Sequence, residues 1–238
     1  WDLAQPFRTL CHNGEINSVQ GNKTWMNARA PLMQEESFGS RMHDVQPVVQ
    51  TDKSDSAALD NTVEFLLQAG KSFPQALAAL IPESWNARNP IPDNVKAFYE
   101  YHSTFIEPWD GPAAILFTDG RYIGGLLDRN GLRPSRYTLT KDDLMIMSSE
   151  VGVLDIPDRD IKEKGRLRPG KILMLDTHEG RLHYDPEIKQ EIAGRKPYAK
   201  WLRENRITLD DIKGKKNQPV GLGERYEKYL LAFGYTNE

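Results

Sequence analysis

A series of short strand-like segments runs from Gly111 to residue 176, and each segment is bounded by glycine, aspartate, asparagine or proline. Short segments closed by turn-forming residues are typical of strands that follow one another in an antiparallel sheet. The predicted strands are residues 113–118, 122–128, 136–140, 144–148 and 171–176. A sheet must bury at least one face against another layer, so we expect the remaining segments to cover it.

Helical patterns lie on both sides of this region. Ser54, Asp55 and Ser56 can cap a helix over residues 57–69, because small polar side chains accept hydrogen bonds from free backbone N–H groups. The other predicted helices are about 17–32, 74–80 and 93–106, and the polar stretch after Tyr184. The buried candidates in the first helix are Val19, Trp25, Met26, Ala28 and Met33. With a strand at 7–12, this order indicates an α+β fold whose helices cover a mainly antiparallel sheet.

Charge balance and cysteine content exclude several classes of protein. The 31 Lys and Arg residues against 34 Asp and Glu leave a net charge of −3, which offers no basic surface for nucleic acid. No apolar run approaches the roughly 20 residues needed to span a bilayer. The single cysteine, Cys11, allows no disulfide within the chain, and the scattered histidines indicate no metal site. We therefore expect a protein of a reducing compartment, the cytoplasm, without nucleic acid or membrane partners.

The pair Asn13-Gly14 directly follows the first predicted strand and is the strongest candidate for chemistry. The Asn13 side-chain amide and the Gly14 backbone N–H can present two donors side by side, because glycine has no Cβ to obstruct them. Two converging donors suit the oxyanion of a tetrahedral acyl-transfer intermediate. The alternative is a hairpin turn without chemistry, which the pair by itself favours.

Several short motifs occur in one order along the chain. They are residues 3–8 (LAQPFR), 12–17 (HNGEIN), 21–22 (GN), 25–29 (WMNAR), 54–56 (SDS), 127–134 (LDRNGLRP), 149–152 (SEVG), 168–171 (RPGK) and 232–235 (AFGY). As an ordered set they resemble the class II, or N-terminal nucleophile, glutamine amidotransferase domain of glutamate synthases. The resemblance covers residues 1 to about 180, and residues 232–235 resemble the entry to the central domain of that family.

The resemblance assigns roles to three residues. Asn13 and Gly14 correspond to the pair that forms the oxyanion hole, in agreement with the interpretation from their donors. Asp55 corresponds to the carboxylate that holds the α-ammonium group of L-glutamine through a charge-assisted hydrogen bond. The alternative for Asp55 is a helix N-cap, and the two roles do not exclude each other. The 127–134 segment is interpreted as a structural connection, and no residue is assigned to a cofactor or a metal.

The resemblance also implies an architecture. We expect part of an αββα four-layer sandwich, with residues 1–212 forming the C-terminal portion of the amidotransferase domain and 213–238 a linker and the start of a central synthase domain. The family uses the N-terminal cysteine of the mature chain as nucleophile and an upstream arginine for the substrate carboxylate. Since the sequence begins at Trp1, we expect both groups to precede it and this chain to be an inactive fragment. Cys11 is expected to be structural, because it lacks the free α-amino group that activates the nucleophile.

The implied function of the intact protein is hydrolysis of L-glutamine to glutamate, with the ammonia passed to a site that makes glutamate from 2-oxoglutarate. That synthase part would use FMN, an iron–sulfur cluster and NAD(P)H or ferredoxin, together with a smaller electron-donating subunit. A plastid location would apply in a plant or alga. Two alternatives are another class II amidotransferase with a different ammonia acceptor, and a non-catalytic relative that only mediates interactions.

Overall fold

The computed structural model describes residues 7–33, 36, 38–212 and 223–235. The chain divides into two compact units, residues 1–202 and residues 203–238. The linker predicted from residue 213 and most of the 3–8 motif lie outside the described residues. The domain boundary after residue 212 therefore stays a prediction.

Two antiparallel sheets lie at the centre of the first unit. The five-stranded sheet has the spatial order β1 (Leu10–Gly14), β2 (Ala113–Thr118), β3 (Tyr122–Leu127), β7 (Ile172–Asp176) and β8 (Arg181–Tyr184). The three-stranded sheet has the order β5 (Met145–Ser148), β4 (Arg136–Thr140) and β6 (Ile161–Arg166). Every described pairing of these strands is antiparallel, which confirms the predicted type of sheet.

The predicted strands after residue 111 are all present, and their ends differ from the prediction by no more than one residue. Two further strands, β6 and β8, were not predicted. The β6 segment contains two lysines, a glutamate and an arginine, and its side chains alternate between half-buried and exposed. Such a polar edge strand carries a weak hydrophobic signal. The strand predicted at 7–12 lies instead at residues 10–14, so Asn13 and Gly14 belong to β1.

Seven α-helices are described, and the predicted helices correspond to the first four of them and to the region after Tyr184. They are α1 (Val19–Arg29), α2 (Asp55–Gln68), α3 (Phe73–Leu80), α4 (Asp93–His102), α5 (Asp185–Gly194), α6 (Tyr198–Asn205) and α7 (Tyr226–Ala232). The prediction for α1 was wrong about Trp25 and Ala28, which are exposed. Asn22 and Lys23 are buried instead, because the Asn22 amide donates to the Pro108 carbonyl and the Lys23 ammonium to backbone carbonyls of residues 51 and 53.

The side chains of β2 show how the layers are arranged. Ile115 and Phe117 pack in the large apolar core beneath the helices, which includes Leu77 of α3. Ala114 points to the opposite face, into a second cluster that joins the two sheets. That cluster contains Leu127, Leu167 and Leu173 with Tyr137, Met145, Met147 and Leu182 at its edge. The described chain thus has a helix layer, a sheet and a second sheet, in agreement with the predicted part of an αββα sandwich.

A buried ionic network attaches α5 to the sheet. The Lys189 ammonium contacts the carboxylate of Glu83, the Asp185 Oδ1 atom at 2.7 Å and the Gly170 carbonyl at 2.9 Å. Lys171 contacts the same two carboxylates. Burial raises the pKa of Glu83, but the neighbouring lysine ammonium groups outweigh it and bring this pKa below its ordinary value. The network therefore places the amino groups of two lysines against two carboxyl groups.

Candidate active site

Asn13 and Gly14 form the end of β1 and do not form a hairpin turn. Asn13 lies opposite Ala114 and Gly14 opposite Ala113, so their partner strand is β2. The next residue continues the ladder, with the Glu15 N–H donating to the Pro112 carbonyl at 3.1 Å. The hairpin interpretation is therefore excluded, because the partner strand arrives only after helices α1 to α4.

Gly14 occupies a position that only glycine can fill. Its φ is +127°, and a Cβ atom built there would lie 1.7 Å from the Pro112 carbonyl oxygen. In an antiparallel ladder, successive residues direct their N–H groups alternately toward and away from the partner strand. Because Glu15 donates toward β2, the Gly14 N–H faces away from β2, and β1 is the outermost strand of the described sheet. A backbone donor is thus directed away from β2, at an edge of β1 that no other described strand occupies.

The Asn13 side chain is exposed and points toward the second sheet. Its Nδ2 atom donates to the Ser149 hydroxyl at 2.8 Å, and Ser149 directly follows β5. An amide carries two N–H groups, so this bond occupies one donor and leaves the other free to bind a ligand. Ser149 belongs to the 149–152 motif, and its contact with Asn13 could not be predicted from the sequence.

Asp55 is the first residue of α2 and is not its N-cap. The cap is Ser54, whose side chain accepts from the Ala57 N–H at 3.1 Å, so the capping interpretation of Asp55 was wrong. The Asp55 carboxylate accepts from the Ser56 N–H at 2.7 Å and from the Ile16 N–H at 2.9 Å. It is 22% exposed. The bond to Ile16 places this carboxylate three residues beyond Asn13, at the end of β1.

Asn13 and Asp55 approach this end of β1 from opposite faces of the sheet. Side chains alternate along a strand, so His12 points to the helix side and Asn13 to the side of the second sheet. The Asp55 carboxylate lies on the helix side, 3.7 Å from the His12 Nε2 atom. Within the described residues no hydrogen bond joins Asn13 to Asp55, and the roles that the resemblance assigns to these two side chains stay predictions.

His12 is the residue of this region that sequence analysis missed. Its side chain is 1% exposed, and its Nε2 atom lies 2.7 Å from the Ser56 hydroxyl oxygen. Burial lowers the pKa of His12 more than the Asp55 carboxylate and the Gly14 backbone carbonyl raise it. His12 is therefore neutral at neutral pH. The sequence offered one indication of this position. His12 precedes Asn13 in a strand, and because side chains alternate along a strand, the two side chains point to opposite faces of the sheet.

Two other predicted features have structural surroundings. Cys11 is a free, half-buried cysteine, and burial raises the pKa of its thiol, which disfavours the reactive thiolate. In the 127–134 segment, the buried Asp128 carboxylate accepts from the backbone N–H groups of Asn130, Leu132 and Arg133. This aspartate holds the connection from β3 to β4, in keeping with the structural interpretation.

The described residues contain no group of three or more His, Cys, Asp or Glu side chains that could hold a metal ion. Within the same part of the chain, no helix is both long enough and apolar enough to cross a membrane. The contacts described above define the candidate site as the end of β1, the first turn of α2 and the residue after β5.

Comparison with known proteins identifies the family of this fold. Residues 1–201 match the family described as Glutamine amidotransferases class-II. The chain belongs to the class II glutamine amidotransferases. The match covers most of the chain and includes every residue of the candidate site. An α+β sandwich of the amidotransferase type is thereby confirmed.

Amidotransferase relatives in bacteria, fungi and algae extend this result. The chain is 46% identical over 241 residues to the glutamate synthase [NADPH] large chain of Bacillus subtilis, covering 100% of this chain and 16% of that protein. It is 47% identical over 249 residues to the glutamate synthase [NADH] of Schizosaccharomyces pombe, covering 100% and 12%. It is 43% identical over 240 residues to the ferredoxin-dependent glutamate synthase of Pyropia yezoensis, covering 100% and 16%. The chain thus spans about a sixth or less of these relatives.

Proposed function

We propose that this chain forms part of the glutaminase site of a glutamate synthase, in which L-glutamine is hydrolysed and the ammonia is passed to 2-oxoglutarate. The observation that supports this most lies at the end of β1. The two candidate donors, Asn13 and Gly14, are followed two residues later by Ile16, whose backbone N–H donates to the Asp55 carboxylate. The identity of 46–47% to glutamate synthases over the whole of this chain supports the choice of acceptor over other class II amidotransferases.

In the proposed reaction a thiolate attacks the carboxamide carbon of glutamine, and the carbonyl oxygen becomes an oxyanion. The free N–H of the Asn13 amide and the N–H of Gly14 donate to that oxyanion. Fixed donors stabilise the developing charge without reorganisation, and the loss of one costs about 2.7–4 kcal/mol of barrier. Collapse of the intermediate breaks the C–N bond and releases ammonia after proton transfer, and water then cleaves the thioester to give glutamate. The nucleophile is an N-terminal cysteine of the intact protein, and Cys11 is not that group.

Asp55 binds the α-ammonium group of glutamine in this proposal. Both of its carboxylate oxygens already accept a backbone N–H, which fixes the orientation of the group while part of it stays exposed. A carboxylate held in this way gives a charge-assisted bond to an ammonium group and thereby orients the substrate.

The remaining partners lie outside this chain. The names of these relatives include NADPH, NADH or ferredoxin, and we propose that FMN, an iron–sulfur cluster and one of these donors serve a synthase domain that begins after residue 212, together with a smaller electron-donating subunit. Location in the cytoplasm, or in a plastid as for the chloroplastic relative of Oryza sativa, belongs to the same proposal.

The test uses the full-length protein that carries this chain. Asp55→Asn should weaken glutamine-dependent glutamate formation at least about tenfold, because the bond to the substrate ammonium loses its charge. Ammonia-dependent synthesis should stay near the wild-type rate. Glu64→Gln on the same helix, at a half-buried carboxylate paired with Arg8, is the matched control and should change neither activity. Equal loss of both activities in Asp55→Asn would instead indicate a folding defect and contradict the assignment.

A further inference from the structure

The buried imidazole of His12 has no role in the reaction proposed above, yet it lies directly beneath Asp55. Its Nε2 atom is 2.7 Å from the Ser56 Oγ atom and 3.7 Å from the Asp55 Oδ2 atom. The Ser56 Oγ atom in turn lies 3.4 Å from Asp55 Oδ1. The contact between imidazole and hydroxyl is favourable in either neutral tautomer, because a hydroxyl can donate or accept.

We infer that His12 and Ser56 hold the Asp55 carboxylate in the position that receives the substrate ammonium group, which makes His12 a positioning residue of the glutamine site. This inference rests on the proposed function. The backbone N–H groups of Ile16 and Ser56 restrain one oxygen each, and the His12–Ser56 pair supports the carboxylate from the buried side. The exposed side of Asp55 is then left for the ligand.

The surroundings of the other ring nitrogen, Nδ1, indicate that packing alone does not explain a histidine at this position. His12 Nδ1 is buried and has no partner that meets both the distance and the angle of a hydrogen bond among the described residues, although the Gly14 backbone acts on the ring and raises its pKa. A buried polar atom without a partner costs free energy, so the ring is a poor choice if packing alone matters. The side chain opposite His12 on β2 is the apolar Ile115, which an aliphatic replacement would contact equally well.

The charge state of the ring fits this role. Asp55 is the charged group that acts on His12 from α2, while Asp60 on that helix is engaged by the N–H groups of Thr9 and Leu10. Because burial keeps the pKa of His12 low, the ring is neutral and does not compete for Asp55 as an internal cation. No imidazolium of His12 then stands where a substrate ammonium group would bind.

The experiment measures glutaminase kinetics in the full-length protein with His12→Leu, His12→Gln and Ser56→Ala. His12→Leu and Ser56→Ala should each raise KM for glutamine about tenfold, since each removes support from a charged group, while kcat stays within about threefold. His12→Gln should restore KM to within about threefold of wild type, because its amide nitrogen can occupy the Nε2 position and bind Ser56. His102→Gln is the matched control, since it removes another buried imidazole far from Asp55 in sequence, and should leave KM unchanged.

The outcomes separate this inference from the proposed function. A wild-type protein that does not hydrolyse glutamine would overturn the proposed function and this inference together. An active wild type with unchanged KM in both His12→Leu and Ser56→Ala would overturn only the positioning role. Thermal unfolding is measured alongside, and should His12→Leu fail to fold, Ser56→Ala decides, because it leaves the ring and its packing in place.

Discussion

Gly14 shows how one residue can meet a steric and a chemical requirement together. Its positive φ and its approach to the Pro112 carbonyl exclude any side chain, whatever the chain catalyses. The proposed oxyanion role uses the N–H of the same residue. A substitution at Gly14 therefore tests the fold, and Asn13 is the residue at which the chemistry can be tested separately.

Gly14→Ala is expected to destabilise the protein by about 2–4 kcal/mol, from left-handed backbone strain and overpacking combined. Urea unfolding followed by tryptophan fluorescence measures this change. The control is Gly21→Ala in α1, where a Cβ would meet no atom within 4 Å. That variant should gain about 0.5–1 kcal/mol, because alanine suits a helix better than glycine. Equal stability of Gly14→Ala and wild type would contradict the close approach of β1 to residue 112.

Ser149→Ala is expected to lower kcat for glutamine about fivefold with KM unchanged, because the Asn13 amide loses the bond of about 1 kcal/mol that orients it. Asn13→Ala should lower kcat about 100-fold or more. Ser149→Thr keeps the hydroxyl and serves as control, with a rate near wild type. Steady-state glutaminase assays of the full-length protein distinguish these results. A rise in KM without loss of kcat in Ser149→Ala would show that Ser149 acts on substrate binding instead.

At the scale of elements, the site depends on how α2 and α5 are attached to the five-stranded sheet. The first turn of α2 brings Asp55 to β1, and Asp60 on that helix accepts from the N–H groups of Arg8, Thr9 and Leu10. On the same face of the sheet, next to β7 and β8, α5 is attached through Lys189, Glu83 and Asp185. Apolar contacts are not directional and do not by themselves fix how far each helix is shifted along the sheet. The polar contacts of α2 and α5 join specific atoms and therefore fix that position.

Lys189→Met is expected to destabilise the fold by about 3–5 kcal/mol, because it leaves the buried Glu83 carboxylate with a single, more exposed partner in Lys171. The pKa of Glu83 lies below its ordinary value in the folded protein, so the network stabilises the fold above the unfolded pKa. That stability is lost as pH falls through the folded pKa. Lys189→Met should reduce this acid-dependent loss.

Urea unfolding at pH 7 and at pH 4 measures both effects on Lys189→Met. Lys96→Met is the control, because Lys96 is exposed and its i,i+4 pair with the half-buried Glu100 on α4 should contribute about 0.5 kcal/mol or less. An unchanged pH dependence in Lys189→Met would mean that the network is not the source of the acid sensitivity.

At the scale of the whole molecule, the packing of one sheet on the other brings the ends of β1 and β5 together. The cluster around Ala114, Leu127 and Leu173 fills the space between the sheets. The Asn13–Ser149 hydrogen bond lies at the edge of this contact and joins residues 136 positions apart. The orientation of a candidate catalytic amide is therefore a consequence of packing between layers.

Leu173→Ala is expected to cost about 2–4 kcal/mol and to lower glutaminase kcat as well, because a cavity between the sheets loosens the support of Ser149. Leu77→Ala in the core under the helices is the matched control, with the same residue type and similar burial. It should cost a similar free energy of unfolding with a smaller change in kcat. Unfolding and steady-state assays of both variants test this, and equal losses of kcat would show that the two cores affect the site alike.

Much of the fold could be predicted, because the turn-forming residues and helix-ending residues in the sequence lie where strands and helices end in the structure. Turn residues bounded the strands after residue 111, and Gly70 ends α2 with φ of +78° as a glycine stop does. The polar strands β6 and β8 could not be predicted, because their pairing comes from neighbours across the sheet and their own residues do not indicate it. The buried Lys23 could not be predicted either, because its burial depends on a backbone carbonyl 28 residues away in sequence. The exposed Trp25 lies on the same helix, and the sequence does not show which face of that helix is covered.

The sequence by itself determined the family, the order of most strands and helices, and three candidate site residues, because ordered motifs and turn chemistry are local in the chain. Tertiary structure alone decided that Asn13 and Gly14 pair with β2, that Ser54 is the cap in place of Asp55, and that Asn13 and Asp55 approach from opposite faces. It also revealed His12 beneath Asp55 and Ser149 beside Asn13. The physical reason is that hydrogen bonds and burial depend on groups far apart in sequence, and only packing brings those groups together.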